Sequence, residues 1–410
     1  MKAPLLSVEE ALRRVLASAP APLGEEWVAL SEARGRTLAR DVKALRTQPP
    51  FANSAMDGYA LIAADAGTPG ATLELIGESA AGRAFSGRVK SGETVRIFTG
   101  APLPEGADAI AVQEEATRNG DCVTFAATVA SGDNVRYVGI DFADGERLLR
   151  AGRRLAPRDV ALAAAANHRA LPCVRRPLVG ILATGDELVA PGEPLGPARI
   201  VASNNFFVLG LAEACGGKGV DLGIARDDPQ SLADAIGEAR KQAVDILVTL
   251  GGASVGDYDL VRGALVDAGM ELGFWKIAMR PGKPLMHGRI GDLLVLGLPG
   301  NPTSSAVCGL LFLAPLIRAL LGDPLAGADR TEPARLGAPM ARNGARQDYV
   351  RATLARADDG AWIAAPLPDQ DSSLVKMLAL ADALIIRPIG ASAAEAGAPC
   401  RILRLEALGG

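Results

Sequence analysis

Between Pro177 and Gly322 the chain carries five short apolar runs, and several end in a cluster of glycine, proline, acid or lysine. Val179-Gly-Ile-Leu-Ala183 leads into Thr184-Gly-Asp-Glu-Leu188, and Asp245-Ile-Leu-Val-Thr-Leu250 into Gly251-Gly-Ala-Ser-Val-Gly-Asp-Tyr-Asp259. Phe274-Trp-Lys-Ile-Ala-Met279 leads into Arg280-Pro-Gly-Lys-Pro284, and Leu293-Leu-Val-Leu-Gly-Leu298 into Pro299-Gly-Asn-Pro302. Apolar runs this short and this uninterrupted predict strands buried on both faces, as in a parallel sheet covered by helices. Helices are expected between them at Ser203–Cys215 (closed by Gly216-Gly217), Pro229–Gln242, Asp257–Ala268 and Pro302–Leu321. The alternation predicts right-handed crossovers and a doubly wound, mostly parallel α/β domain. Ligands bind such sheets beyond the carboxyl ends of the strands, where this chain places its glycines, acids and lysines.

The flanking sequence has a different rhythm. Ser7-Val-Glu-Glu10 opens a first helix by a capping box, and Pro157–Asn167 reads as another with proline in its first turn. Over 51–145, short alternating segments (Thr72–Gly77, Thr94–Phe98, Ala109–Val112, Cys122–Ala127) predict a small β domain. A glycine- and alanine-rich linker is expected after Gly322. Tyr349–Leu354, Trp362–Ala365, Ala383–Ile386 and Arg401–Leu405 then read as a last β domain.

With 410 residues the chain exceeds what one core holds. Its 43 basic and 47 acidic residues, net −4, argue against nucleic acid as the main ligand. Five scattered cysteines without a CxxC pair support neither a disulfide framework nor a structural zinc site. Two histidines, His168 and His287, leave little room for a serine-histidine or multi-histidine mechanism. No signal pattern opens the chain and no uninterrupted apolar span would cross a membrane, so a soluble cytoplasmic protein is expected.

Gly251 and Gly252, followed by Ser254 at an expected helix start, offer backbone N–H groups and a hydroxyl to a phosphate-like anion. No GxxxxGK[ST] occurs, which excludes a P-loop. Lys276, Arg280 and Lys283 suit a clamp for several negative charges. Asp186, Glu187, Asp227, Asp257 and Asp259 end other strands of the same sheet; beside a phosphate they suit Mg²⁺, although Asp227 or Asp257 could equally cap a helix. The residues alone therefore point to a polyanionic, nucleotide-like ligand with metal help.

Taken together, Pro49-Pro-Phe-Ala-Asn-Ser-Ala-Met-Asp-Gly-Tyr-Ala60, Thr99-Gly-Ala-Pro102, Gly185-Asp-Glu-Leu188, Gly251–Asp259, Pro281-Gly-Lys-Pro284 and Leu298-Pro-Gly-Asn-Pro302 resemble the molybdopterin molybdenumtransferase family over nearly the whole chain. The resemblance implies four domains: a discontinuous connecting domain (1–45 plus 146–176, its first helix packing on the α/β domain), a β domain (46–145), a molybdopterin-binding α/β domain (177–325) and a β-barrel-like domain (326–410). It implies a homodimer with each active site shared between subunits. The substrates would be adenylylated molybdopterin and molybdate, with Mg²⁺ as cofactor and AMP as a product. Protein partners would be a molybdopterin adenylyltransferase and recipient molybdoenzymes.

Carried over by position, the resemblance brings Asp57, Thr99 and Asp141 into the site from the partner subunit, with Glu187, Asp227 and Asp259 as catalytic or metal-binding acids. Lys276, Arg280 and Lys283 would hold phosphates and oxyanion, Pro299 and Pro302 would shape the pocket, and Arg351 with Ser372 would help hold molybdate. The chain departs from the family pattern at Ala253, at Arg280 in place of lysine, and in Asp371-Ser-Ser-Leu-Val-Lys-Met377. Two other readings share the α/β domain, a molybdopterin adenylyltransferase and a competence-damage-type enzyme. A third is a non-catalytic scaffold of the same fold.

Overall fold

The computed structural model describes residues 5–20, 22–252 and 260–405. Ser254, Asp257 and Asp259 lie outside the described residues.

Six strands form the central sheet: β1 (Leu178–Thr184), β2 (Lys218–Ala225), β3 (Ile246–Leu250), β4 (Glu271–Trp275), β5 (Met286–Ile290) and β6 (Leu293–Leu298). Their order is β2-β1-β3-β6-β5-β4; the first four are parallel, and β5 and β4 close one edge as an antiparallel pair. Strand period explains why the runs are apolar throughout. Val179, Ile181, Ile246, Val248, Leu294 and Leu296 face one core, while Leu182, Leu247, Leu293 and Val295 face another.

The first core is covered by α1 (Val8–Ser18), α3 (Asn204–Ala214) and a long apolar segment from Pro302 to Leu320, and the second by α4 (Pro229–Lys241) and α5, described over Leu260–Asp267. The expected doubly wound fold is present. Among the described residues only Pro302–Leu320 is long and apolar enough to cross a membrane, and 78% of it is buried in this core. The segment is not one regular helix. It is α6 (Pro302–Cys308), a π turn (Gly309–Leu313) and α7 (Ala314–Leu320). Pro315 has no N–H and its ring crowds the carbonyl four residues back, which accounts for a widened turn just before it.

The cap residues act as their types predict. Ser7 Oγ accepts from the Glu10 N–H at α1, Pro157 opens α2 (Pro157–Ala165), and Gly216 is left-handed after α3. At α4 the cap is Asp228, accepting from the Ser231 N–H at 2.8 Å, rather than Asp227. Asp227 keeps its carboxylate clear of capping.

Glu25–Ala29 pairs with Ala170–Val174, and Val42–Lys43 with Arg147–Leu149, so the two ends of the segment 25–174 share small sheets. Between them a six-stranded sheet runs in the order Ala109–Val112, Gly58–Leu61, Glu93–Ile97, Thr72–Ser79, Cys122–Phe125, Ala116–Asn119. The last third closes on itself. Gln347–Arg356 pairs with both Trp362–Pro366 and Ala383–Arg387, and Glu332–Leu336 with Pro399–Arg404 completes a barrel. Glu332–Leu336 lies where a linker was expected: its alternation is too short to stand out, and its partners are 28 to 70 residues away.

Phe274–Met279 was expected to be one strand, but β4 stops at Trp275. Lys276 turns left-handed (φ 72°), and Met279–Arg280 leaves to pair with Gln347 and Asp348 of the barrel. That pairing joins the α/β sheet to the last domain.

His287 ties α1 to the sheet. Its Nδ1 is 3.0 Å from the Val295 carbonyl and its Nε2 2.9 Å from Ser18 Oγ. Burial holds its pKa below the usual imidazole value, against the opposing pull of the Val295 carbonyl. The unfolded chain therefore takes up this proton at higher pH than the folded one. Stability should fall as pH drops below about 6.5, and the fall should be smaller in His287→Gln. Denaturant midpoints at pH 7.5 and 5.5 measure it; equal pH dependence in both proteins would assign the effect elsewhere.

Candidate functional site

Beyond the carboxyl ends of β1, β3 and β6 lies a cavity of about 820 Å³. Its wall includes Glu187, Asp227, Gly251, Gly252, Pro299 and Pro302, six of the residues expected at the site. The two glycines let the chain pass where no side chain fits. Gly251 has φ 101°, and a Cβ there would stand 2.8 Å from the Thr184 carbonyl oxygen; Gly252 has φ 64°, and its Cβ would stand 2.0 Å from Val261 Cγ2. Gly252→Ala should therefore lower stability by roughly 1–2 kcal/mol of left-handed strain plus the clash. Denaturant midpoints measure this, and an unchanged midpoint would show that the turn relaxes around a Cβ.

Glu187 and Asp227 are exposed, and both line this cavity. Asp227 and Asp186 face each other across two strand ends, each carboxylate 3.4 Å from the other's backbone N–H. Two carboxylates are hard oxygen donors that suit Mg²⁺ when phosphate or water supplies the remaining ligands. Among the described residues no group of three or more acids, histidines or cysteines gathers at metal-binding distances.

A second cavity, about 500 Å³, shares Pro284 and Ser304 with the first. Arg280, Lys283, Arg346, Arg351 and Ser372 line it, facing Asp348 and Asp371. The Met279–Arg280 pairing brings Arg280 onto Asp348 as an ion pair. Ser372 docks at the start of α6: its carbonyl accepts from the Thr303 N–H at 3.0 Å and its hydroxyl from Asn301 Nδ2 at 2.9 Å.

Arg351 is placed differently from the simple anion-contact expectation. Its side chain is buried, with the residue only 1% exposed. The guanidinium donates to Thr303 Oγ1 and to the carbonyls of Asp369, Asp371 and Leu374, with Gln370 Oε1 near Nε. Its donors hold the 369–374 loop against α6. Sequence reading missed Thr303, Asn301 and Gln370, the partners that make this junction. Asn301 stands in the Leu298–Pro302 motif without a role of its own there; Thr303 meets Arg351 only across the domain boundary, and Gln370 meets it only through the fold of the last domain.

Asp57, Thr99 and Asp141 belong to neither cavity. Gly58 pairs with Ile97, so the residues just before one strand and just after the other become neighbours. Asp57 Oδ1 accepts from both the Thr99 N–H and the Thr99 hydroxyl, each at 2.8 Å. The backbone N–H first, then the hydroxyl, hold the Asp57 carboxyl below its usual pKa, so it stays ionised at neutral pH. Asp141 lines a separate cavity of about 520 Å³ with Arg46, Gly100, Arg136 and the exposed Phe51 and Ile140. Within one chain, these acids and the α/β cavity do not meet.

Three family models match in order: MoeA N-terminal region (domain I and II) over residues 6–167, probable molybdopterin binding domain over 180–319, and MoeA C-terminal region (domain IV) over 333–405. A molybdopterin molybdenumtransferase from Haemophilus influenzae is 38% identical over 320 residues, 78% of this chain and 78% of its own. Its counterpart in Bacillus subtilis is 35% identical over 98% of this chain and 94% of its own. The chain belongs to the molybdopterin molybdenumtransferase family. A solved structure of a molybdopterin biosynthesis MoeA protein from Pyrococcus horikosii superposes with a TM-score of 0.83 at 29% identity, covering 98% of this chain and 99% of that one. As a family member the chain has the expected architecture, an α/β molybdopterin-binding-type domain with flanking β-rich domains.

Proposed function

We propose that this protein inserts molybdenum from molybdate into adenylylated molybdopterin, with release of AMP. The observation that carries the reading is the pair of adjoining cavities: a large glycine- and acid-lined one beside a small cationic one, sharing Pro284 and Ser304. The first suits a pterin nucleotide, the second a tetrahedral oxyanion. The family match over both flanking regions favours this over an adenylyltransferase or competence-damage-type enzyme, which would need only the α/β domain.

On this reading Gly251 and Gly252 give close backbone approach to the nucleotide phosphates, and Pro299 and Pro302 shape the wall. Lys283 and Arg280 hold molybdate, and Lys276 supplies a further positive charge. Arg351 acts through the Ser372 loop. Glu187 and Asp227, with Asp259, would hold Mg²⁺, which when bound neutralises charge on the phosphate oxygens where AMP leaves. Asp57, Thr99 and Asp141 complete the site from the second subunit of a homodimer. The discontinuous connecting domain and the boundaries near 46, 146, 177 and 326 belong to the same reading, as does a cytoplasmic location.

The test is molybdate-dependent AMP release from adenylylated molybdopterin by the purified full chain. Finding instead ATP-dependent adenylylation of molybdopterin, with no molybdate-dependent AMP release, would overturn it.

A further inference from the structure

Trp275 closes β4 at the edge of the sheet, and two cations contact its ring. The Lys276 ammonium nitrogen lies 3.4 Å from the ring centroid and the Arg262 guanidinium carbon 4.4 Å from it. Indole is the strongest of the aromatic faces for a cation. Lys276 itself takes a left-handed backbone (φ 72°), unusual for a residue with a side chain. The hairpin holds that conformation: the Lys276 N–H donates to the Leu285 carbonyl at 2.9 Å, and the Ile277 N–H to the Lys283 carbonyl at 3.0 Å. Lys276 and Lys283 are thus two arms of one short hairpin, and Lys283 lines the cationic cavity. Lys276 lines neither cavity and forms no ion pair among the described residues.

We propose that Trp275 is a positioning residue for molybdenum insertion, its indole face seating the Lys276 ammonium beside the hairpin arm that carries Lys283. The chemistry explains why an aromatic ring stands here. A carboxylate partner would neutralise the ammonium and compete with any anionic ligand for it. A π face orients the same charge and leaves it available. Trp275 also packs against the second core of the sheet, so the seat is anchored. This inference rests on reading Lys276 as an anion-holding residue.

The test keeps the shape of the ring and drains its quadrupole. Of the three tryptophans, Trp27 and Trp362 are replaced by Phe, leaving Trp275 alone to be labelled with mono-, di- and trifluorotryptophan. Stepwise fluorination should raise the KM for molybdate, roughly tenfold across the series, with kcat changed less and the thermal midpoint unchanged. In the same background, added molybdate or AMP should alter Trp275 emission, and Lys276→Met should abolish that response. A flat series combined with a crippled Lys276→Met would overturn the role of Trp275 and leave that of Lys276 standing. Wild-type kinetics in Lys276→Met would remove the reading of Lys276, and the seat with it.

Discussion

In the proposed homodimer, an equal and freely exchanging mixture of Asp57→Ala and Glu187→Ala subunits should recover about a quarter of the wild-type rate, and the isolated mixed dimers about half, although each parent homodimer falls by a factor on the order of a hundred or more. The expectation follows from where the two acids sit. Asp57, locked to Thr99, lies on the β domain, while Glu187 lines the α/β cavity, and no residue of the Asp141 cavity lines either of the other two. If each site takes Asp57 from one subunit and Glu187 from the other, a mixed dimer has one site with both defects and one with neither. Random assortment makes half the dimers mixed, and each has half its sites intact. Differently tagged subunits, co-purified to prove exchange, give the measurement. Proven mixed dimers with no more activity than the parents would place both acids in one subunit's site and refute the shared arrangement.

Arg351→Leu should destabilise the protein by about 3–5 kcal/mol, a large share of any domain's stability. The guanidinium is buried and bonds three carbonyls in the 369–374 loop plus Thr303 Oγ1. Removing it leaves buried acceptors without donors, and leucine, shorter and apolar, supplies none. Arg351→Lys should rescue little, because one ammonium cannot span acceptors that a planar fork reaches together. Hydrogen exchange should show the loop loosened, and molybdate affinity should fall with it as Ser372 leaves Asn301. Molybdate affinity lost with unchanged unfolding and exchange would mean that Arg351 touches the anion directly.

Some of this was legible residue by residue. The central sheet announced itself because a strand buried on both faces has no polar position to spare, and Val179–Leu182 show it by alternating between two cores. Ser7, Pro157 and Gly216 marked helix ends because caps are local chemistry, complete within four residues. Gly251-Gly252 announced a tight approach because only glycine tolerates those backbone angles beside Thr184 and Val261.

Other features were decided by contacts that local sequence does not encode. Phe274–Met279 has one apolar pattern, yet it divides at Lys276 because Met279–Arg280 finds its hydrogen-bond partners in the barrel. Arg351 carries the same charge as a ligand-binding arginine, and only the surrounding carbonyls reveal what it bonds. The sequence by itself determined the parallel sheet, its helices and the glycine turn at its carboxyl edge, since hydrophobic period and backbone freedom act over a few residues. Tertiary structure alone decided which charges face the cavities, which are spent on holding domains together, and that Lys276 rests on Trp275, because these outcomes depend on side chains brought together across the fold.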